Sequence, residues 1–215
     1  MALQQQKRSF ISQEEYLAGE LIGEVKHEYI EGDVYAMAGA SKNHQRIIAN
    51  VSSSLWIHLK DTPCDVFTSD MKVKVAHNFF YPDVTVVCED KTDNDYYTES
   101  PVIIIEVLSK STRRTDQSLK RKAYQNLPSL NEYVLIEQDF VDVEICRRDN
   151  HWQSEHYFLG DQVHFAAIDL SMPVEAIYAR VVNEDMQEFL ASRSIIDNYE
   201  KQTVSANPGG NNDER

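Results

Sequence analysis

What this 215-residue chain has little of narrows its class before any motif is read. Glycine (7) and proline (6) are scarce, which excludes collagen-like and low-complexity chains. The three cysteines, Cys64, Cys88 and Cys146, are odd in number and widely spaced, with no CxxC pair. They read as reduced core thiols of a cytoplasmic protein, not as a disulfide framework or a zinc site. No apolar run approaches the roughly 18 residues of a membrane span. The longest, Val102 to Leu108, is interrupted by Glu106. The N-terminus shows no apolar stretch of the signal-peptide kind. Bases are in deficit, 21 against 35 acids, for a net charge of −14. Phosphate neutralisation needs local cations, so a protein that coats nucleic acid over its whole surface is excluded, and only a local basic patch remains open. No GxGxxG, GxxxxGK[ST] or GxSxG occurs, so dinucleotide, P-loop and hydrolase-elbow chemistry have no support.

What is present suits one globular domain: 42% hydrophobic and 26% charged residues, enough to bury roughly 70% of the unfolded surface without a staple. The domain is expected over residues 1–199, followed by a disordered tail over 200–215 that contains Asn207-Pro208-Gly209-Gly210. Ser12-Gln13-Glu14-Glu15 is a capping box that opens a short helix to about Gly19. His27 to Met37 reads as a hairpin turning at Glu31-Gly32-Asp33. Ile47, Ile48, Val51, Leu55 and Leu59 recur at helical steps within 43–60. The 71–75 stretch alternates as a half-exposed strand, with Lys72 and Lys74 outward. Strands follow at 83–88, at 102–108 (apolar on both faces, hence central), at 132–137, and as a 141–145/152–158 hairpin. A helix capped by Thr115 or Asp116 should run to Leu127, where Pro128 stops it. A last amphipathic helix spans 184–199, with Met186, Phe189, Leu190, Ile195 and Ile196 on its apolar side. That face packs on the core or forms an interface. The pattern is α/β (α+β), built on one mixed sheet flanked by helices.

Acids placed at strands carry the chemistry. Glu106 interrupts an otherwise apolar strand, and an unpaired buried polar group costs roughly 2–7 kcal/mol before its charge is counted. It needs a cation, a proton or a metal. Asp83 opens the neighbouring strand after Tyr81-Pro82. If the two strands are neighbours, two hard oxygen ligands meet at one edge, which suits Mg²⁺ or Mn²⁺ and not Zn²⁺. The plainer reading is a turn-capping Asp and a Glu paired with Arg or Lys. Beside Glu106 lies a basic island: Lys110, Arg113, Arg114, Lys120, Arg121 and Lys122, opposed only by Asp116. It is either a phosphate-holding face or a solvated helix surface. Asp116, Lys120 and Tyr124 are spaced i,i+4 on that helix. Glu28 is a third carboxylate or an exposed hairpin acid. His44 is a phosphate or metal contact, or a cap. His58, His77, His151, His156 and His164 show no metal-ligand spacing.

Four segments resemble the Uma-two family of restriction endonucleases, a branch of the PD-(D/E)XK nuclease superfamily. They are His27 to Gly39 with His44, Phe79 to Cys88 around Pro82-Asp83, Pro101 to Thr112 around Glu106, and Asp116 to Lys120 with Tyr124 to Ile136. The likeness runs from about residue 10 to 180. It implies a restriction-endonuclease-like core that hydrolyses DNA phosphodiester bonds. Asp83 would match the Asp of PD, Glu106 the acid of (D/E)XK, and Glu28 the N-terminal acid. Two residues past Glu106 stands Leu108, where the pattern has lysine. Lys120 matches a lysine of the family pattern and takes the catalytic role, with Lys122 and Lys72 as substitutes. The resemblance then implies Mg²⁺ (or Mn²⁺) held by Asp83, Glu106, the Val107 carbonyl and Glu28. It implies DNA contacts by Lys110, Arg113, Arg114 and His44, and a cytoplasmic homodimer that needs no membrane. The competing reading is a catalytically inactive relative that binds a metal or a partner.

Overall fold

The computed structural model describes residues 10–205. In chain order the elements are α1 (Gln13–Ile22), β1 (His27–Ile30), β2 (Asp33–Ala36), α2 (Lys42–Leu59), β3 (Cys64–Thr68), β4 (Lys72–Val75), β5 (Asn78–Phe80), β6 (Val84–Cys88), β7 (Tyr97–Thr98) and β8 (Pro101–Leu108). Then come α3 (Arg113–Thr115), a π turn (Asp116–Lys120), α4 (Arg121–Tyr124), β9 (Glu132–Glu137), β10 (Val143–Arg147), β11 (Ser154–Tyr157), β12 (Gln162–Phe165), β13 (Leu170–Pro173), α5 (Val174–Ile177) and α6 (Glu184–Ser205).

The middle layer is a six-stranded mixed sheet in the order β11-β10-β9-β8-β6-β3, parallel only between β8 and β9. β8 is central, as its two-sided apolar run requires. Its alternation divides the core. Ile103, Ile105 and Val107 face α2, α5 and the β12–β13 hairpin. Ile104 and Leu108 face Tyr124, Tyr133 and the strands of a second sheet, ordered β2-β1-β5-β4-β7. Glu106 falls on this second side by the same period of two. The α+β architecture of a mixed sheet flanked by helices is as expected, and only its restriction to one sheet is corrected. The hairpin β1–β2 and the short strands β4, β5 and β7 form their own sheet, which covers one face of the first.

The N-terminal elements form as their residues dictate. Ser12 and Glu15 make the reciprocal capping box, the Glu15 N–H donating to Ser12 Oγ at 3.2 Å and the Ser12 N–H to Glu15 Oε2 at 2.9 Å. β1 and β2 are joined by a two-residue turn in which Glu31 (φ 50°) and Gly32 (φ 90°) are both left-handed. A side chain at Gly32 would also meet the Phe10 ring. Ser41 caps α2, accepting from the His44 N–H at 3.1 Å. Ile47, Val51 and Leu55 are fully buried on α2, as their spacing predicts.

Several expectations need correction. The 113–124 run has no Thr115 or Asp116 cap; it is helical from Arg113 and carries a π turn in its middle. Lys72 is buried, not outward. Cys64 and Cys88 are joined in a disulfide, and only Cys146 is a free, buried thiol among the described residues. The reason is register: Cys64 lies directly opposite Cys88 in the β3–β6 ladder, and β3 has too weak a pattern to reveal that pairing in advance. α6 continues to Ser205, past the expected boundary at 199. Its Met186 is buried and Phe189 packs on the core, whereas Leu190 and Ile195 are exposed. The Ile196 side chain and residues 206–215 of the expected 200–215 tail lie outside the described residues. No described helix is long and apolar enough to cross a membrane.

Candidate active site

Four elements from both sheets and the helical run bring carboxylates to one place. Glu28 comes from β1, Asp83 from the turn into β6, Glu106 from the middle of β8, and Asp116 from the π turn. Lys120, at the other end of that turn, sits among them. Its Nζ is 2.7 Å from Glu28 Oε1, 3.1 Å from Glu106 Oε1 and 3.2 Å from Asp116 Oδ1. All three groups nearest the centre are enclosed: Lys120 is 5% exposed, Glu106 3% and Asp116 1%.

Each side chain is aimed by its neighbours. The Tyr124 hydroxyl, fully buried one turn past Lys120, donates to Glu106 Oε1 at 3.2 Å. The Tyr81 backbone N–H donates to Glu28 Oε1 at 3.3 Å. The Val107 N–H donates to Asp83 Oδ2 at 2.7 Å, and His44 Nε2 lies 3.2 Å from the same oxygen. The Tyr133 hydroxyl donates to the Asp116 carbonyl at 3.0 Å and so satisfies part of the π turn. The Val107 amide thereby orients Asp83.

The electrostatics follow from burial and crowding. Burial pushes the Glu106 carboxyl well above its ordinary range; Lys120 opposes this, and Asp116, Asp83 and Glu28 add to it. Asp116 is raised for the same leading reason. Burial by itself would lower Lys120, but the carboxylates of Glu106, Glu28 and Asp116 outweigh it and hold the ammonium charged well above the usual lysine range. For His44, burial is likewise outweighed by the Asp83 hydrogen bond and charge, so its pKa is raised. A backbone hydrogen bond to Val107 raises it further.

The basic residues divide into two groups. Lys110, Arg114 and Lys122 are exposed. Arg113 is engaged elsewhere: its Nε donates to Glu137 Oε1 at 2.7 Å, its second nitrogen to Glu137 Oε2, and Asp139 lies 3.5 Å away. That bidentate pair ties Arg113 to the buried Glu137. Lys72 Nζ contacts the Tyr81 hydroxyl at 3.3 Å and the Tyr81 ring face, away from Glu106. Asp116 and Tyr124 were not among the expected site residues. The i,i+4 spacing of Asp116, Lys120 and Tyr124 was the signal that could have placed them there.

The donor set is all hard oxygen, and formal charge at the edge is in surplus: four carboxylates face one ammonium and one imidazole. Asp116 Oδ1 is buried and makes no well-formed hydrogen bond beyond its ion pair. That chemistry fits a Mg²⁺-type ion, which takes one or two carboxylates and completes its shell with water and substrate oxygens. Among the described residues no three His, Cys, Asp or Glu side chains converge as a ready-made cage.

The profile of the Uma2 family, described as "Putative restriction endonuclease", matches residues 13–175. Two proteins of Synechocystis sp. are similar in sequence. The protein slr1290 is 34% identical over 174 residues, covering 78% of this chain and 91% of its own. The protein sll1609 is 38% identical over 144 residues, covering 65% and 78%. A crystal structure from Anabaena variabilis, described as "a putative nuclease belonging to DUF820", shares the fold. Its TM-score is 0.66 at 17% identity, over 80% of this chain and 99% of that one.

Proposed function

Since the chain belongs to the Uma2 family, we propose that it is a nuclease that hydrolyses DNA phosphodiester bonds with the help of Mg²⁺ or Mn²⁺. The observation that carries this reading is the surplus of buried carboxylates at one sheet edge, gathered around a single lysine. Burying so much unbalanced negative charge opposes folding and is retained where a cationic centre is used.

Asp83 and Glu106 would hold the ion, with Glu28 beside them. Bound there, such an ion supplies a Lewis acid and an activated water. The chain's own residues do the rest. Val107 N–H and His44 fix Asp83 Oδ2, and Tyr124 fixes Glu106. Lys120 offers its ammonium to the negative charge that grows on the phosphate oxygens as water adds to phosphorus. One P–O ester bond breaks, and the products are a phosphate monoester and an alcohol. Lys110 and Arg114, exposed at the mouth of the helical run, neutralise backbone phosphates. A duplex has two strands, and a pair of copies would present two such edges.

Leu108 favours a second reading. It is buried on the same face as Glu106, where the superfamily pattern carries its lysine. A relative without activity would keep the acids as a cation-binding or partner-binding relic. Cleavage assays on supercoiled and linear DNA with Mg²⁺ or Mn²⁺ separate the two. Asp83→Ala and Glu106→Ala should each lower cleavage by about 10²-fold or more, with the fold retained by circular dichroism. Cleavage that persists in both variants overturns the assignment.

A further inference from the structure

Carboxylates from three separate elements each reach the Lys120 ammonium, which stands between them. The chain thus supplies from within itself the positive charge that these acids need. A divalent ion held by Glu106 would need oxygens that now face Nζ. Two cations crowding one carboxylate oxygen at about 3 Å repel strongly in a low-dielectric pocket. The ammonium and the ion therefore exclude one another.

Resting on the nuclease reading above, we propose that Lys120 is an internal counter-ion that closes the carboxylate site of the metal-free protein, and that a divalent cation enters by displacing its ammonium from Glu28 and Glu106. The site thereby regulates itself: metal capture and release of Lys120 toward the substrate phosphate are one event.

The local backbone suits such a movement. Lys120 ends a π turn, in which the Arg121 N–H bonds back to the Asp116 carbonyl. A π turn carries one residue more than α pitch, and its loss rotates a residue by about 100° around the helix axis. Relaxing this turn would carry Lys120 out of the cluster without unfolding α3 or α4. The Val107 amide, on β8, would stay in place to hold Asp83.

The test reads metal affinity without DNA. Mn²⁺ binding is measured by calorimetry and electron paramagnetic resonance on the wild type, Lys120→Met and Lys120→Arg. Lys120→Met keeps the length of the side chain and removes its charge, and it should bind Mn²⁺ about tenfold tighter or more. Lys120→Arg should bind no tighter than the wild type. If Lys120→Met binds Mn²⁺ no tighter, the proposal is overturned. Loss of the only cation at the cluster centre could prevent that variant from folding, so a second measurement uses the unaltered protein. Amine acetylation followed by mass spectrometry should label Lys120 slowly without metal and several-fold faster with Mn²⁺. Lys72, buried against Tyr81 and outside the cluster, should not change. Lys120 labelling that stays flat at the highest Mn²⁺ concentration overturns the proposal whatever the variants do. Neither readout involves cleavage, so a failure of the nuclease reading and a failure of this one are seen separately.

Discussion

Lys120 Nζ stands 3.1 Å from Glu106 Oε1, on the face of β8 where Leu108 fills the position two residues beyond that glutamate. A lysine at position 108 would emerge beside Glu106 on a rigid strand. Here the cation comes from a helical turn and meets Asp116 and Glu28 as well. With the cation supplied from the helical run, the strand face is left to apolar packing by Leu108.

Glu106 is held at a cost to stability, and the cost should depend on pH. Burial raises its carboxyl pKa in the folded chain, with Lys120 opposing and the neighbouring acids adding. Ionisation therefore opposes folding. The penalty is absent below the unfolded carboxyl pKa of about 4.3 and grows as pH rises through the raised folded value. Glu106→Gln keeps an oxygen acceptor for Lys120 and Tyr124 and removes the charge. It should raise Tm at pH 7 while abolishing cleavage, each kcal/mol relieved being worth about 2–4 °C in a chain of this size. The gain should vanish near pH 4. Thermal unfolding at pH 4, 5.5 and 7 checks this; a lower Tm at pH 7, or a gain independent of pH, contradicts it.

The helix and hairpin of the N-terminal half were legible because their signals are local. The capping box at Ser12 and Glu15, the left-handed pair Glu31-Gly32, and the α2 stripe from Ile47 to Leu59 are each settled within a few residues. The central strand was legible for the opposite reason: a run apolar on both faces can be satisfied only in the middle of a sheet. What was not legible depends on partners distant in sequence. β3, β5 and β7 are too short or too mixed in pattern to declare themselves, and β3 hides the Cys64–Cys88 pairing. Lys72 looked solvent-facing by alternation, yet Tyr81 covers it. The π turn has no sequence mark at all. Asp83, Glu106, Glu28 and Lys120 could be named from their motifs, but that one ammonium would touch three of the acids could not.

The basic island should divide functionally as it divides structurally. Arg113 neutralises Glu137, which is buried, while Lys110 and Arg114 face solvent. Arg113→Ala strands a buried carboxylate. Discounted for the partial exposure of Arg113, this should cost about 1–2 kcal/mol of stability. Lys110→Ala and Arg114→Ala should change stability by less than about 0.5 kcal/mol. Each should instead weaken DNA binding and lower the slope of log K against log salt by about 1. Urea unfolding and fluorescence anisotropy over a salt series read the two effects. A normal salt slope for Arg114→Ala together with a reduced one for Arg113→Ala would reverse the assignment.

The disulfide lies at the end of β6 remote from Asp83, because β6 begins next to Asp83 and ends at Cys88. It ties edge strand β3 to its only neighbour in the six-stranded sheet. Its two cysteines are 24 positions apart, and closing a loop of that length in the unfolded chain is worth about 3 kcal/mol. Reduction, or the Cys64→Ser and Cys88→Ser double variant, should therefore lower Tm by roughly 6–12 °C. The carboxylates sit on β1, β8, the helical run and the start of β6, at the end of that strand away from Cys88, so Mn²⁺ affinity should change little with the bridge open. Denatured without reductant, the chain should expose one titratable thiol, Cys146, and with reductant three. Three thiols in both conditions would show that the bridge is absent in solution. An unchanged Tm on reduction would mean that the β3–β6 ladder is held by its hydrogen bonds and by the packing of Val66 and Val86 alone.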